Sequence, residues 1–256
     1  MPPRSLALRA GVALTTALMV AGNVLVEALR FGGLSTADIS ALYPVLVTPA
    51  GYVFAIWGLI YLGMIAYSFA QFAPSLRADP LPDHLAVPLV VSNVANVAWL
   101  VAWHDLLIPL SLLVMLVLLA SLIAAYVTAR RDRPRRPAAL ELWAVRGTLS
   151  VYLGWISVAT IANVSIVLYS LGWRGAPFSQ EASAAVVLVA GALVAGAALA
   201  WRRDAVFAAV FVWAYVGIGI SHLTRTVVVS VAWGLALGIG AAAVLAALPR
   251  RRPHAV

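Results

Sequence analysis

Eight long apolar stretches, separated by short polar breaks whose arginines fall almost entirely on alternate breaks, constrain this chain to a helical protein that crosses a membrane repeatedly. The stretches run over residues 9–29, 49–71, 86–103, 107–128, 147–170, 183–201, 205–221 and 226–248. A helix needs about 20 apolar residues to cross about 30 Å of hydrocarbon. Barrel strands would be about half as long and would alternate polar with apolar residues, which residues 110–122 do not. With 64% hydrophobic and 10% charged residues and a mean hydropathy of +1.00, the 256-residue chain has too little polar surface to cover a water-soluble globule. The expected fold class is an all-α polytopic transmembrane bundle of about eight spans.

Orientation follows from the cations, all 17 of which are arginine. One side receives Arg4, Arg9, Arg77, Arg130, Arg131, Arg133, Arg135, Arg136, Arg146, Arg202, Arg203, Arg250, Arg251 and Arg252, and the other only Arg30, Arg174 and Arg225. The positive-inside rule then places both termini and the arginine-rich loop between spans four and five in the cytoplasm, which requires an even number of spans. A plasma membrane of bacterial type is the expected location. The net charge of +8 lies in loops abutting the membrane, without interleaved aromatics, so anionic lipid headgroups and not nucleic acid are the expected partner. The absence of cysteine removes disulfides, thiolate nucleophiles and cysteine metal sites. The first span has the basic start of a secretory signal, but it is long and lacks a clean A-x-A site, and an uncleaved anchor is expected.

Spans six to eight differ from the first five, being dominated by Ala, Val and Gly over residues 184–200 and 234–247. Gly175 and Pro177 mark the break before them. The chain reads as a five-helix unit, residues 1–174, followed by a three-helix extension, residues 175–256. Spacings such as Gly234 and Gly238 suit either internal packing or a homodimer seam. No internal repeat supports an inverted-repeat transporter.

The chemistry of interest lies in the first five spans. Asn23 and Asn163 fall in the outer halves of spans one and five, and Asn96 near the middle of span three, which also carries Asn93. Tyr52, Trp57 and Tyr61 on span two and Trp99 and Trp103 on span three share that depth range. Trp57 and Tyr61, four apart, lie on one helical face, as do Asn96 and Trp99, three apart. One explanation is that amides join helices for about 0.6 to 2 kcal/mol each while Trp and Tyr form an interfacial belt. The other is a ligand pocket, since Trp57 and Trp99 sit more than a turn inside the outer boundary.

Three segments carry a family resemblance. Span two reads Pro49-Ala50-Gly51-Tyr52-Val53-Phe54-Ala55-Ile56-Trp57-Gly58-Leu59-Ile60-Tyr61. Span three has Asn96-Val97-Ala98-Trp99, and span five Tyr152-Leu153-Gly154-Trp155-Ile156-Ser157-Val158-Ala159-Thr160-Ile161-Ala162-Asn163. These resemble the P-P-G-W-V-F-G-P-V-W-x-x-L-Y, N-x-x-W and Y-L-x-W-x-x-F-A-T-x-L-N motifs of the TspO/MBR family, the tryptophan-rich sensory and translocator proteins. The resemblance covers spans one to five and stops before the last three. Ala50 replaces a proline, Tyr52 replaces a tryptophan, and the segment before Trp57 is one residue short, a change that rotates a helix by about 100°.

The resemblance implies a five-helix bundle whose pocket opens toward the loop of residues 30–48 and accepts flat apolar ligands such as porphyrins, haem or sterols. It implies a ligand site formed by Asn23, Trp57, Tyr61, Asn96, Trp99, Trp103, Trp155, Ala159, Thr160 and Asn163, with aromatic faces stacking on a planar ring and amides fixing its polar edge. Ala159 and Thr160 serve equally well as small residues for close helix packing. Val167, Tyr169 and Arg174 fit a loose cholesterol-recognition pattern.

Other classes are harder to sustain. A retinal protein needs a Schiff-base lysine, and none exists. His84, His104, His222 and His254 fall near or beyond span ends, which argues against paired axial haem ligands. No H-E-x-x-H, P-loop or G-x-S-x-G motif occurs. Glu27 with Arg30 reads as a structural pair, Glu141 and Arg146 flank the inner start of span five as an anchor, and no resident cofactor or metal is implied. The leading expectation is a binding or sensory protein for a planar hydrophobic small molecule. A secondary transporter or exporter is the alternative, and an enzyme acting on bound porphyrin ranks last because no orthodox acid or base is on offer. For the topology, a cytoplasm-active reporter fused to the C-terminus should be active and one inserted at residues 30–48 inactive; the reverse pattern would overturn the orientation.

Overall fold

The computed structural model describes residues 3–131 and 137–248. Arg133, Arg135, Arg136, Arg250, Arg251, Arg252 and His254 lie outside the described residues. Among those described there is no strand, and the α-helices are α1 (Pro3–Leu29), α2 (Thr36–Ala41), α3 (Ile56–Ala70), α4 (Pro74–Arg77), α5 (Leu81–His104), α6 (Ile108–Ala129), α7 (Thr148–Ser170), α8 (Gln180–Arg202), α9 (Ala205–Ser221) and α10 (Thr226–Ala247). Seven helical runs are long and apolar enough to cross a membrane, which makes the chain an integral membrane protein with an all-α polytopic bundle. They are α1, α5, α6, α8, α10, α3 together with its leading turn, and α7 together with its own. Helix α9 is apolar but has 17 residues, about 25 Å at ~1.5 Å per residue.

Three boundaries differ from the sequence reading, each for a local reason. Span three begins at Leu81, because Pro82 occupies the first turn, where a missing N–H costs nothing. Span five begins with a π-helical turn, Glu141–Gly147, in which Arg146 Nη2 reaches Glu141 Oε1 at 2.9 Å, so the two residues expected to anchor that end also pair with each other. Span two opens as a 3-10 turn, Gly51–Ala55, before α3. The expected pairing of Glu27 with Arg30 does not form. Arg30 adopts a left-handed backbone, φ 45°, which turns the chain out of α1, and its guanidinium lies 3.9 Å from Asp38. Glu27 instead accepts the Thr36 N–H at 2.9 Å.

Helix α5 packs between α1 and α6, α6 against α7, and α7 against both α3 and α9; α9 in turn carries α8 and α10. The buried stripe of α5 runs Leu85, Leu89, Ser92, Asn96, Trp99, Trp103, at alternating steps of four and three, so one helical face holds both an amide and two indoles. Amides fasten this face to α1. Asn23 Nδ2 donates to Asn96 Oδ1 at 2.7 Å, and Asn93 Nδ2 donates to the hydroxyls of Thr15 and Thr16 at 3.1 and 3.0 Å.

The end of the bundle opposite the α1–α2 loop is closed by two buried polar hubs. Arg9, 1% exposed, donates to Asp83 at 2.7 Å and to the carbonyls of Gln71, Leu76 and Asp79 at 2.7, 3.0 and 2.9 Å, thereby satisfying helix-end carbonyls of α3 and α4. Asp204, at the N-cap of α9, accepts from Tyr126 Oη at 2.7 Å, Arg130 Nη2 at 2.6 Å, Ser150 Oγ at 2.8 Å and the Phe207 N–H at 3.1 Å. That hub joins α6, α7 and α9. Removing one partner strands the other charge away from water. Asp204→Ala should therefore lower unfolding stability in detergent by roughly 3 to 5 kcal/mol, and Asp204→Asn, which keeps an acceptor for the Phe207 N–H, by less. Equal stability of Asp204→Ala and wild type in chemical denaturation would contradict this.

Candidate functional site

The stripes of α3, α5 and α7 converge on one aromatic cluster at the α1–α2 loop end. Trp57 stacks on Tyr61 with centroids 5.7 Å apart and on Trp99 at 6.3 Å; Trp99 continues onto Trp103 at 5.4 Å. Trp155 of α7 meets Trp57 edge-on at 6.2 Å, and Phe54 meets Trp155 at 5.6 Å. The cluster forms because four-residue steps place Trp57 over Tyr61 and Trp99 over Trp103 on successive turns of their helices.

Two spaces meet at Trp57. Behind it lies a narrow cavity of about 30 Å³, lined chiefly by Phe54, Trp99, Trp103, Trp155, Ala159 and Asn163. In front lies a wider, open cleft of about 580 Å³ between α1, α2 and α3, bordered by Asn23, Glu27, Thr36, Phe54 and Tyr61. Trp57, Phe54 and Thr36 border both. The wall between the two spaces is therefore made of side chains.

The short helix α2 covers the site as a lid. Ser35 caps it by accepting the Asp38 N–H at 3.1 Å while its own N–H donates to the Asp38 carboxylate at 2.9 Å, and that N–H holds the Asp38 carboxyl below the usual carboxylate range. Thr36 then latches the lid to the bundle. Its N–H donates to Glu27, its carbonyl accepts from Trp103 Nε1 at 3.2 Å, and its hydroxyl lies 3.4 Å from His104 Nε2.

Two donors on the cavity wall are left over. The indole N–H groups of Trp99 and Trp155 are both buried and have no hydrogen-bond partner among the described residues. An unpaired buried donor costs about 1 to 3 kcal/mol, and most such groups in folded proteins are satisfied. Both residues border the narrow cavity, so their rings stand beside it while their N–H groups stay buried. The cavity and cleft linings include no histidine, and the described residues hold no cluster of metal-ligating side chains.

Of the residues expected from sequence, Trp57, Trp99, Trp103, Trp155, Ala159 and Asn163 border the narrow cavity, and Asn23 and Tyr61 the wider cleft. Asn96 borders neither space and accepts from Asn23 through its Oδ1, and Thr160 turns its hydroxyl back onto Ile156 O at 2.7 Å. Asn163 Nδ2 is held by Ser111 Oγ at 3.1 Å. The amides thus act first as helix fasteners. Sequence reasoning missed Thr36, Phe54 and Glu27 as site residues. Phe54 stood within the quoted motif, whereas nothing local distinguishes Thr36, whose three partners come from two other helices.

Comparison with family models finds one described as TSPO-like protein, matching residues 9–245. The match runs through α8 and α9 into α10, past the point where the motif resemblance ends, since Ala-, Val- and Gly-rich helices offer few distinctive residues to read by eye. No curated protein and no solved structure matches the chain. With a match over most of its length, supported by the Trp57, Trp99 and Trp155 cluster, the chain belongs to the TspO/MBR family.

Proposed function

We propose that the protein binds a planar hydrophobic ligand bearing acceptor groups, with porphyrin, haem without axial histidine ligation, or a sterol-like molecule as the classes that family membership suggests. The observation that carries the reading is the pair of unpartnered indole N–H groups of Trp99 and Trp155 on an aromatic-walled cavity. The ligand enters from the lid side, lies against Trp57 and directs acceptors to the two indoles. The narrow cavity alone, at about 30 Å³, holds no macrocycle, so binding swings Trp57 or Phe54 and joins cavity to cleft. A sensory role follows if that movement is transmitted through the Thr36 latch.

In this reading the chain spans eight times, α9 being the short span that carries the backbone between the ends of α8 and α10. Both termini lie in the cytoplasm of a bacterial cell. Residues 1–174 form the five-helix unit holding the cleft, and residues 175–256 a three-helix extension packed on it. A homodimer through the small residues of α10 is part of the proposal, and lipid covers the remaining apolar surface.

Transport or export of the same ligand is the second reading, favoured by the mouth of the cleft between two membrane helices. Passage would require the Arg9 and Asp204 hubs to open at the far end. Ligand flux in proteoliposomes separates the two, since a binding protein gives saturable binding without flux.

Protoporphyrin IX should quench the tryptophan fluorescence of the purified protein with a saturable midpoint. Trp57→Ala and Trp99→Ala should each raise that midpoint by roughly tenfold, about 1.4 kcal/mol. An unchanged midpoint in a folded Trp57→Ala, Trp99→Ala double variant would defeat the proposal.

A further inference from the structure

The wall of the cleft is built on backbone that the first five spans leave incomplete. The 3-10 turn Gly51–Ala55 carries Phe54 and leads directly into Trp57, so its position sets both rings. The start of a helix leaves N–H groups without intrahelical partners, and a short 3-10 turn has few bonds of its own. At membrane depth irregular backbone is tolerated only where protein satisfies it.

Helix α9 supplies what is missing. The Ala50 N–H donates to Gly217 O at 3.1 Å, and Trp213 Nε1 donates to Val53 O at 3.1 Å. The Trp213 ring also meets the Tyr52 ring edge-on at 5.2 Å. The approach is close because Gly217 has no side chain: a Cβ there would lie 2.1 Å from Val53 Cγ2. On its other flank α9 packs into Gly154 of α7, one residue before Trp155, where a Cβ would stand 3.1 Å from Val210 Cβ and 3.2 Å from Phe207 O. At the end of α9, His222 lies against the Thr48 backbone, and burial holds its pKa below the usual value. One helix of the extension thus touches the backbone beneath Phe54, the approach to Trp57 and the turn that bears Trp155.

We infer that α9 is a positioning element of the ligand site, with Gly217 and Trp213 as positioning residues that hold the Gly51–Ala55 turn against the aromatic cluster. This rests on the proposed cleft for its effect on binding, but the bracing itself is a property of the backbone. The extension therefore completes the site instead of merely flanking it.

The test uses the full chain in detergent micelles, with amide hydrogen exchange over residues 50–57 and the affinity for protoporphyrin IX read from its Soret absorbance. Gly217→Ala should raise exchange of the Ala50 and Val53 amides at least tenfold and weaken binding to a similar degree. Adding Val53→Ala removes the methyl that the new Cβ would strike and should restore both readings. Trp213→Phe, which keeps an aromatic ring but loses the donor, should shift both in the same direction to a smaller extent, and it serves if Gly217→Ala does not fold. Folded variants with wild-type exchange and wild-type affinity would overturn the inference, as would a failure of Val53→Ala to rescue either reading. If no chain, wild type included, binds the porphyrin while exchange still rises and is rescued, the bracing stands and the ligand reading falls.

Discussion

A backbone N–H or carbonyl buried away from water without a partner costs as much as a lost hydrogen bond, and the arrangement of this protein follows from how it meets that demand where its helices are interrupted. The interruptions are at the entrance to span two, at the α3–α5 connection and at the junction of α8 with α9. Each is completed from elsewhere in the chain: by α9 at residues 50–53, by the Arg9 guanidinium at Gln71, Leu76 and Asp79, and by Asp204 at the N-terminus of α9. The first of these bears on the proposed function, because the backbone it fixes carries the wall of the aromatic cleft.

Much of the outline was legible beforehand. Long apolar runs reported the helices, and Trp57, Tyr61, Trp99, Trp103, Trp155 and Asn163 reached a common region because helical spacing and depth along a span are local properties. What could not be read depends on distant partners. Arg9 and Arg130 counted as flanking cations, yet each is tied to an aspartate more than seventy positions away, Asp83 and Asp204. Glu27 looked like the partner of Arg30 until the left-handed turn at Arg30 carried the guanidinium toward the lid. Asn96, chosen as a ligand residue from its depth, accepts from Asn23 through its Oδ1, a partner that depth along a span does not reveal.

The departures of span two from the family motif acquire a physical setting. Ala50 and Tyr52, the two substituted positions, are both in contact with α9, one through its N–H and the other through its ring. Proline at position 50 could not donate the hydrogen bond that Gly217 accepts. Helix α9 and the altered motif are thus two sides of one contact. The family match running from residue 9 to 245 agrees with α8–α10 being integral to the fold.

The proposed recognition draws on stacked indoles, a helix α2 latched through Thr36 and two buried indole donors without partners among the described residues. The nine tryptophans give nine indole N–H signals in a nitrogen-15 spectrum. On titration with protoporphyrin IX, the signals of Trp99 and Trp155 should move downfield as their protons gain acceptors, while exposed Trp143 and Trp201 stay in place. Unmoved Trp99 and Trp155 signals under saturating porphyrin would contradict the account.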